Sequence, residues 1–207
     1  MTPVYKLSAN SVKNGRTVYG SMLAGNPAFV LPGDFESIAT VSLSSAASDV
    51  TFSSIPATYS HLQIRAIFRN TQFSGGGNEQ YLSLQCNGDT GSNYSYHYLL
   101  GNGGAASSGG SATQTRMQFE YPIPMSNDLA NVYGAGIIDI LDYKNTNKYT
   151  TARVLTGVNC NGSTTKNIIL ASGLWQNTSA VTSIRIFPKE DQFETYSHFA
   201  LYGIKEA

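Results

Sequence analysis

The strongest constraint on this chain is a two-residue hydrophobic period that runs in short bursts and is cut by turn residues. Between residues 60 and 69, Leu62, Ile64, Ala66 and Phe68 alternate with His61, Gln63, Arg65 and Arg69, and Ile67 breaks the alternation. Successive side chains of a β-strand point to opposite faces, so this pattern predicts a strand with one buried face. The period recurs in Leu82, Leu84 and Cys86, and again in Tyr94, Tyr96, Tyr98 and Leu100. It recurs a third time over 113–121, where Met117, Phe119 and Tyr121 are set against Arg116, Gln118 and Glu120. Further strands fit 38–43, 49–52, 135–141, 150–158, 167–171, 181–187 and 196–204. Turn residues join them, among them Asn87-Gly88-Asp89, Asn161-Gly162 and Ile55-Pro56. No window of eleven residues carries a helical stripe. The prediction is an all-β chain, an antiparallel β-sandwich or jelly roll of about ten strands. The stretch 101–111 (GNGGAASSGGS) has no period and is expected to be a flexible, exposed loop.

Residues 1–34 read differently. Asn10, Asn14, Gly15, Gly20, Gly25, Asn26, Pro27, Pro32 and Gly33 break any period, yet the segment holds Val4, Tyr5, Leu7, Val12, Val18, Tyr19, Met22, Leu23 and Phe29, followed by Val30 and Leu31. A solvated linker is poorer in such residues. Burying these side chains supplies about 15–30 kcal/mol in all, at about 1.5–3 each. Ordering the backbone costs about 35–70 kcal/mol, at about 1–2 per residue. Burial alone therefore does not order the segment, and backbone hydrogen bonds to another sheet edge are needed as well. The reading is an extended N-terminal attachment arm, 1–34, ahead of a sandwich domain, 35–207. Its alternative is an arm that wraps its own domain.

Charge narrows the partners. Lys and Arg number 13, as do Asp and Glu, and charged residues are 13% of the chain, about half the usual share. No basic cluster is present, so neither nucleic-acid backbone nor an anionic membrane surface is an expected partner. The first 29 residues lack the charged-then-apolar order of a secretory leader, and no apolar run reaches the about 20 residues that span a bilayer. Cys86 and Cys160 are read as free structural thiols, with pairing left open, and no zinc spacing exists.

The candidate chemistry is thin. Asp89-Thr90-Gly91 matches the triplet of aspartic proteases, but it sits in a sequence that already explains itself as a hairpin turn. Gly101-Asn102-Gly103-Gly104 lacks the helix and Gly-Lys-Ser/Thr of a phosphate loop. Asp139 and Asp142, near Asn145 and Asn147, offer too few carboxylates for a firm calcium site. His61, His97 and His198 fall in three different strands and are read as structural. Tyr94, Tyr96 and Tyr98, with the single tryptophan Trp175, are candidate surface or interface aromatics. They would form a sugar-stacking platform on one reading and a tyrosine-rich core or subunit interface on the other. No catalytic residue, metal site or cofactor is expected.

Several segments together resemble a family of virion structural proteins of tailed bacteriophages. They are 35–41 (FESIATV), 52–65 (FSSIPATYSHLQIR), 87–93 (NGDTGSN), 97–103 (HYLLGNG), 138–149 (IDILDYKNTNKY), 172–184 (SGLWQNTSAVTSI) and 199–205 (FALYGIK). The resemblance spans nearly all of 35–207, and 8–27 (SANSVKNGRTVYGSMLAGNP) resembles leaders that precede such domains. It implies a non-enzymatic particle component, assembled in the bacterial cytoplasm. The expectation is a capsid decoration, or cement, protein. Its partner would be the major capsid protein or another virion protein, and the chain would cluster as a homotrimer. The alternative is a tail-fibre, baseplate or head-fibre protein that contacts a host glycan through the loops at 101–111 and 73–78.

Overall fold

The structure, a computed structural model, describes residues 34–71, 81–119, 123–124, 128–161 and 166–205. Among the described residues, the unit from Phe35 to Ala207 holds twelve strands and no helix. In order they are β1 (Phe35–Ser42), β2 (Val50–Phe52), β3 (His61–Phe68), β4 (Leu82–Cys86), β5 (Tyr94–Gly101), β6 (Ala106–Gln114), β7 (Met117–Phe119), β8 (Gly134–Leu141), β9 (Thr150–Asn159), β10 (Lys166–Trp175), β11 (Ile184–Pro188) and β12 (His198–Ile204). Every pairing is antiparallel.

One sheet runs β1-β12-β3-β8-β9-β10-β5-β6 and the other β2-β11-β4-β7. The chain passes back and forth between them. The quartets β1-β12-β3-β8 and β2-β11-β4-β7 reproduce the strand order of a jelly roll. The hairpins β9–β10 and β5–β6 then extend the first quartet to eight strands. The all-β sandwich expected from the period is thus what the chain forms.

The period explains the core. On β9, Ala152, Val154, Thr156 and Val158 are buried while Thr151, Arg153 and Leu155 are exposed. Leu62, Ile64, Ala66 and Phe68 of β3 point inward, as their spacing predicts. Trp175, Tyr94, Tyr143, Phe68, Phe119, Phe193 and Phe199 are the bulkiest wholly buried side chains. Phe193 and Phe199 meet at 4.8 Å between ring centres. Cys86 and Cys160 are free and buried.

Three details depart from the sequence reading. Residues 106–111 of the glycine-rich stretch are strand rather than loop, because β6 pairs with β5 from Gly101↔Ala106 to Tyr94↔Gln114. Its glycines serve cover, not freedom: a Cβ on Gly109 would lie 2.5 Å from the Tyr98 hydroxyl. The strand predicted over 113–121 is split, since β6 ends at Gln114 and β7 begins at Met117 in the other sheet. Asn87 and Gly88 do form a tight turn with both φ angles positive (53° and 66°), closed by Asp89 N–H to the Cys86 carbonyl at 2.9 Å. That turn is no hairpin. It carries the chain from β4 in the small sheet to β5 in the large one.

Candidate interaction surface

An antiparallel sheet with one solvated face normally reads apolar-in and polar-out. The outer face of the eight-stranded sheet departs from this. Strand register sets Arg65, Ile137, Leu155, Leu170 and Leu99 side by side across five strands. The neighbouring row is Ile67, Ala135, Gly157 and Ile168. In these two rows Ile168 is 66% exposed, Leu99 60%, Leu155 52%, Ile67 50% and Leu170 48%. Each strand can expose an apolar residue because it is apolar on both faces, as in Ile137-Ile138, Val154-Leu155, Ile168-Ile169-Leu170 and Leu99-Leu100. A groove of about 660 Å³ runs over the small side chains Ala135, Gly157 and Ala200, between Tyr202 and Ile168.

A polar ladder borders the band. The next row is Gln63, Asp139, Arg153, Ser172 and His97. Arg65 Nε donates to Gln63 Oε1 at 2.9 Å, Gln63 Nε2 donates to Asp139 Oδ1 at 2.8 Å, and Arg153 Nη2 donates to Asp139 Oδ2 at 2.7 Å. Phe35 and Tyr202 stack at 4.7 Å, and the Arg65 guanidinium lies 5.2 Å from the Phe35 ring centre. Arg65 is the one charged member of the two rows, and its guanidinium is engaged by Gln63, Phe35 and Tyr202; the other members are apolar.

The residues singled out by sequence fare differently. The arm residues Val4, Tyr5, Leu7, Val12, Val18, Tyr19, Met22, Leu23 and Phe29 lie outside the described residues, as does the loop at 73–78. Tyr94 and Trp175 are not surface aromatics. They stack on each other at 6.4 Å inside the core, because both project from the inner face of adjacent strands β5 and β10. Tyr96 shares that face and is buried, while Tyr98 is half-buried over Gly109. A sugar-stacking platform on this strand is thus closed off by packing. Among the described residues, the large exposed aromatic side chains stand elsewhere, at Phe35, Tyr149 and Tyr196.

Asp89 is occupied structurally. Its carboxylate accepts from Trp175 Nε1 at 2.7 Å, Asn93 Nδ2 at 2.9 Å and Gly91 N–H at 2.8 Å, and the indole hydrogen bond above all holds it below the usual carboxylate range. Asp142 pairs with Lys148, which lowers its pKa, and its backbone N–H donates to His61 Nδ1 at 3.0 Å. His198 Nδ1 meets the Ser42 hydroxyl at 2.8 Å. Among the described residues, no three His, Cys, Asp or Glu side chains are placed to hold a metal ion.

Fold and surface together define a class: an all-β sandwich of jelly-roll-like order that presents an apolar band on its larger sheet. No family model matches the sequence, and no curated protein is similar enough to be matched.

Proposed function

We propose that this chain is a non-enzymatic structural protein of a tailed-bacteriophage particle, a capsid decoration protein that works by packing against neighbours. The observation that carries this reading is the largely apolar band across β3, β8, β9, β10 and β5. Contiguous exposed apolar surface of this kind marks an interaction site. A monomer in dilute solution gains nothing from it, whereas a particle component that is covered after assembly does.

Three further points support the reading. The motifs between 35 and 205 resemble virion proteins. Jelly rolls recur in capsid domains, although the fold alone hosts many functions. The carboxylates Asp89, Asp139 and Asp142 are each held by structural partners, which favours a scaffold over a hydrolase. The N-terminal arm, 1–34, is assigned to attachment on its composition and on the same resemblance. In this reading the arm adds strands to capsid subunits, and many arms acting together make attachment durable.

The test is an addition assay. Particles assembled without the chain are mixed with purified full-length chain. Wild-type chain should bind to saturation, and a chain carrying Leu99→Asp and Leu170→Asp should not, while keeping its fold. Equal binding by both would remove the band from the account of attachment.

A further inference from the structure

We propose that the outer face of the eight-stranded sheet packs against the same face of a second copy of this chain, back to back about a two-fold axis that runs along β9. The inference rests on the packing role proposed above and names the partner for that surface.

Shape points to a second copy. β9 is the middle strand of the band, flanked by β8 and β3 on one side and by β10 and β5 on the other. The β10–β5 side is a ridge of large, exposed side chains, Ile168, Leu170 and Leu99. The other side holds the groove floored by Ala135, Gly157 and Ala200. A two-fold axis along β9 sets the ridge of each copy over the groove of the other. One surface then supplies both halves of the fit, as an isologous interface requires. Leu155, at the centre, meets its own counterpart.

Area points the same way. Eight strands at a spacing of about 4.8 Å, each about 25 Å long, make a face on the order of 1,000 Å². A stable interface needs about 800 Å² from each partner. The axis also brings Arg153 towards its own counterpart, a like-charge approach that its ion pair with Asp139 offsets, while Arg65 lies against Phe35 and Tyr202. A strongly basic partner would find no carboxylate in the band, and a strongly acidic one would meet Arg65 alone.

Sedimentation equilibrium on the full chain reads the pairing. Wild type should show twice the chain mass, and Leu155→Asp the single-chain mass. Glu190→Lys, on a turn beyond β11, should leave the mass unchanged. Leu155 is half-exposed, so its substitution spares the core, and a matching circular dichroism spectrum checks this. As an independent readout, Leu155→Cys should be captured as a covalent dimer by a short bifunctional thiol reagent, since face-packed sheets about 10 Å apart are too distant for a direct disulfide, and the native thiols at Cys86 and Cys160 are buried. A single-chain or three-chain mass for wild type, or no cross-link, would overturn the two-fold pairing. If wild type is single yet Leu155→Asp fails to add to particles, the pairing falls and the particle role stands. If wild type pairs but never enters particles, the pairing stands and the particle role falls.

Discussion

Asp89 accepts a 2.7 Å hydrogen bond from the indole of Trp175, 86 residues further along the chain. This contact ties the turn between β4 and β5 to the end of β10. The Tyr94 ring stacks on the same indole, and the Tyr94 hydroxyl accepts from Cys86 N–H at 3.1 Å while donating towards the Asp89 carbonyl at 3.1 Å. A triplet that resembles protease chemistry is thus a clasp between the two sheets. Removing the carboxylate leaves a buried indole N–H unpaired, so Asp89→Ala should lose about 1–3 kcal/mol of stability in denaturant titration.

The same clasp has a pH signature. The carboxyl of Asp89 is held below its ordinary value by the indole hydrogen bond, then by Asn93 and Gly91. A lowered folded-state pKa stabilises the fold above the unfolded value of about 3.9, and the benefit is lost as pH falls through the folded value. The stability difference between wild type and Asp89→Asn should therefore stay constant from neutral pH to about pH 5 and shrink below about pH 4. A difference that grows in acid would contradict this assignment.

Gly203 on β12 leaves the room that Tyr59 fills. A Cβ there would sit 2.3 Å from the Tyr59 ring, and the Tyr59 hydroxyl is anchored at 3.0 Å to Glu36, itself paired with Lys205. The ring cannot swing away without breaking that contact. Gly203→Ala should cost about 1–3 kcal/mol through overpacking, read as a lowered Tm.

The two thiols should be silent in the native protein. Burial pushes the Cys86 thiol up to about 12 and raises Cys160 as well. The thiolate is the reactive form, so iodoacetamide should label neither cysteine at pH 8 and both after unfolding. Labelling of native Cys86 would mean that the β4 edge of the core opens readily.

Deleting residues 2–30 should leave a soluble domain with an unchanged β-type circular dichroism spectrum that no longer adds to particles lacking the chain. Undiminished addition would take the attachment role away from the arm.

Much of the fold is legible in the alternating stretches, because one buried face imposes a two-residue period that survives any arrangement of strands. Leu62, Ile64, Ala66 and Phe68 are read correctly for that reason. β6 is hidden, since a strand covered by the Tyr98 ring needs glycine and serine, the residues that also signal a loop. The apolar band is hidden in another way. Its members come from five strands, and only register brings them into one row. A local trace exists in the paired apolar residues, and Ile67, the exception in its strand, is the first member of the band. Surface and core stay open for Tyr94 and Trp175 in the sequence, because alternation gives Tyr94, Tyr96 and Tyr98 a shared face without saying which face is inner, and the structure makes it the core.

Copy number in purified particles of the proposed phage source tests the virion assignment most directly. Heads and tails are separated and the chain is quantified against the major capsid protein in each. Decoration predicts a copy number comparable with that of the major capsid protein, confined to heads. Absence from particles, or a small number confined to tails, would contradict it.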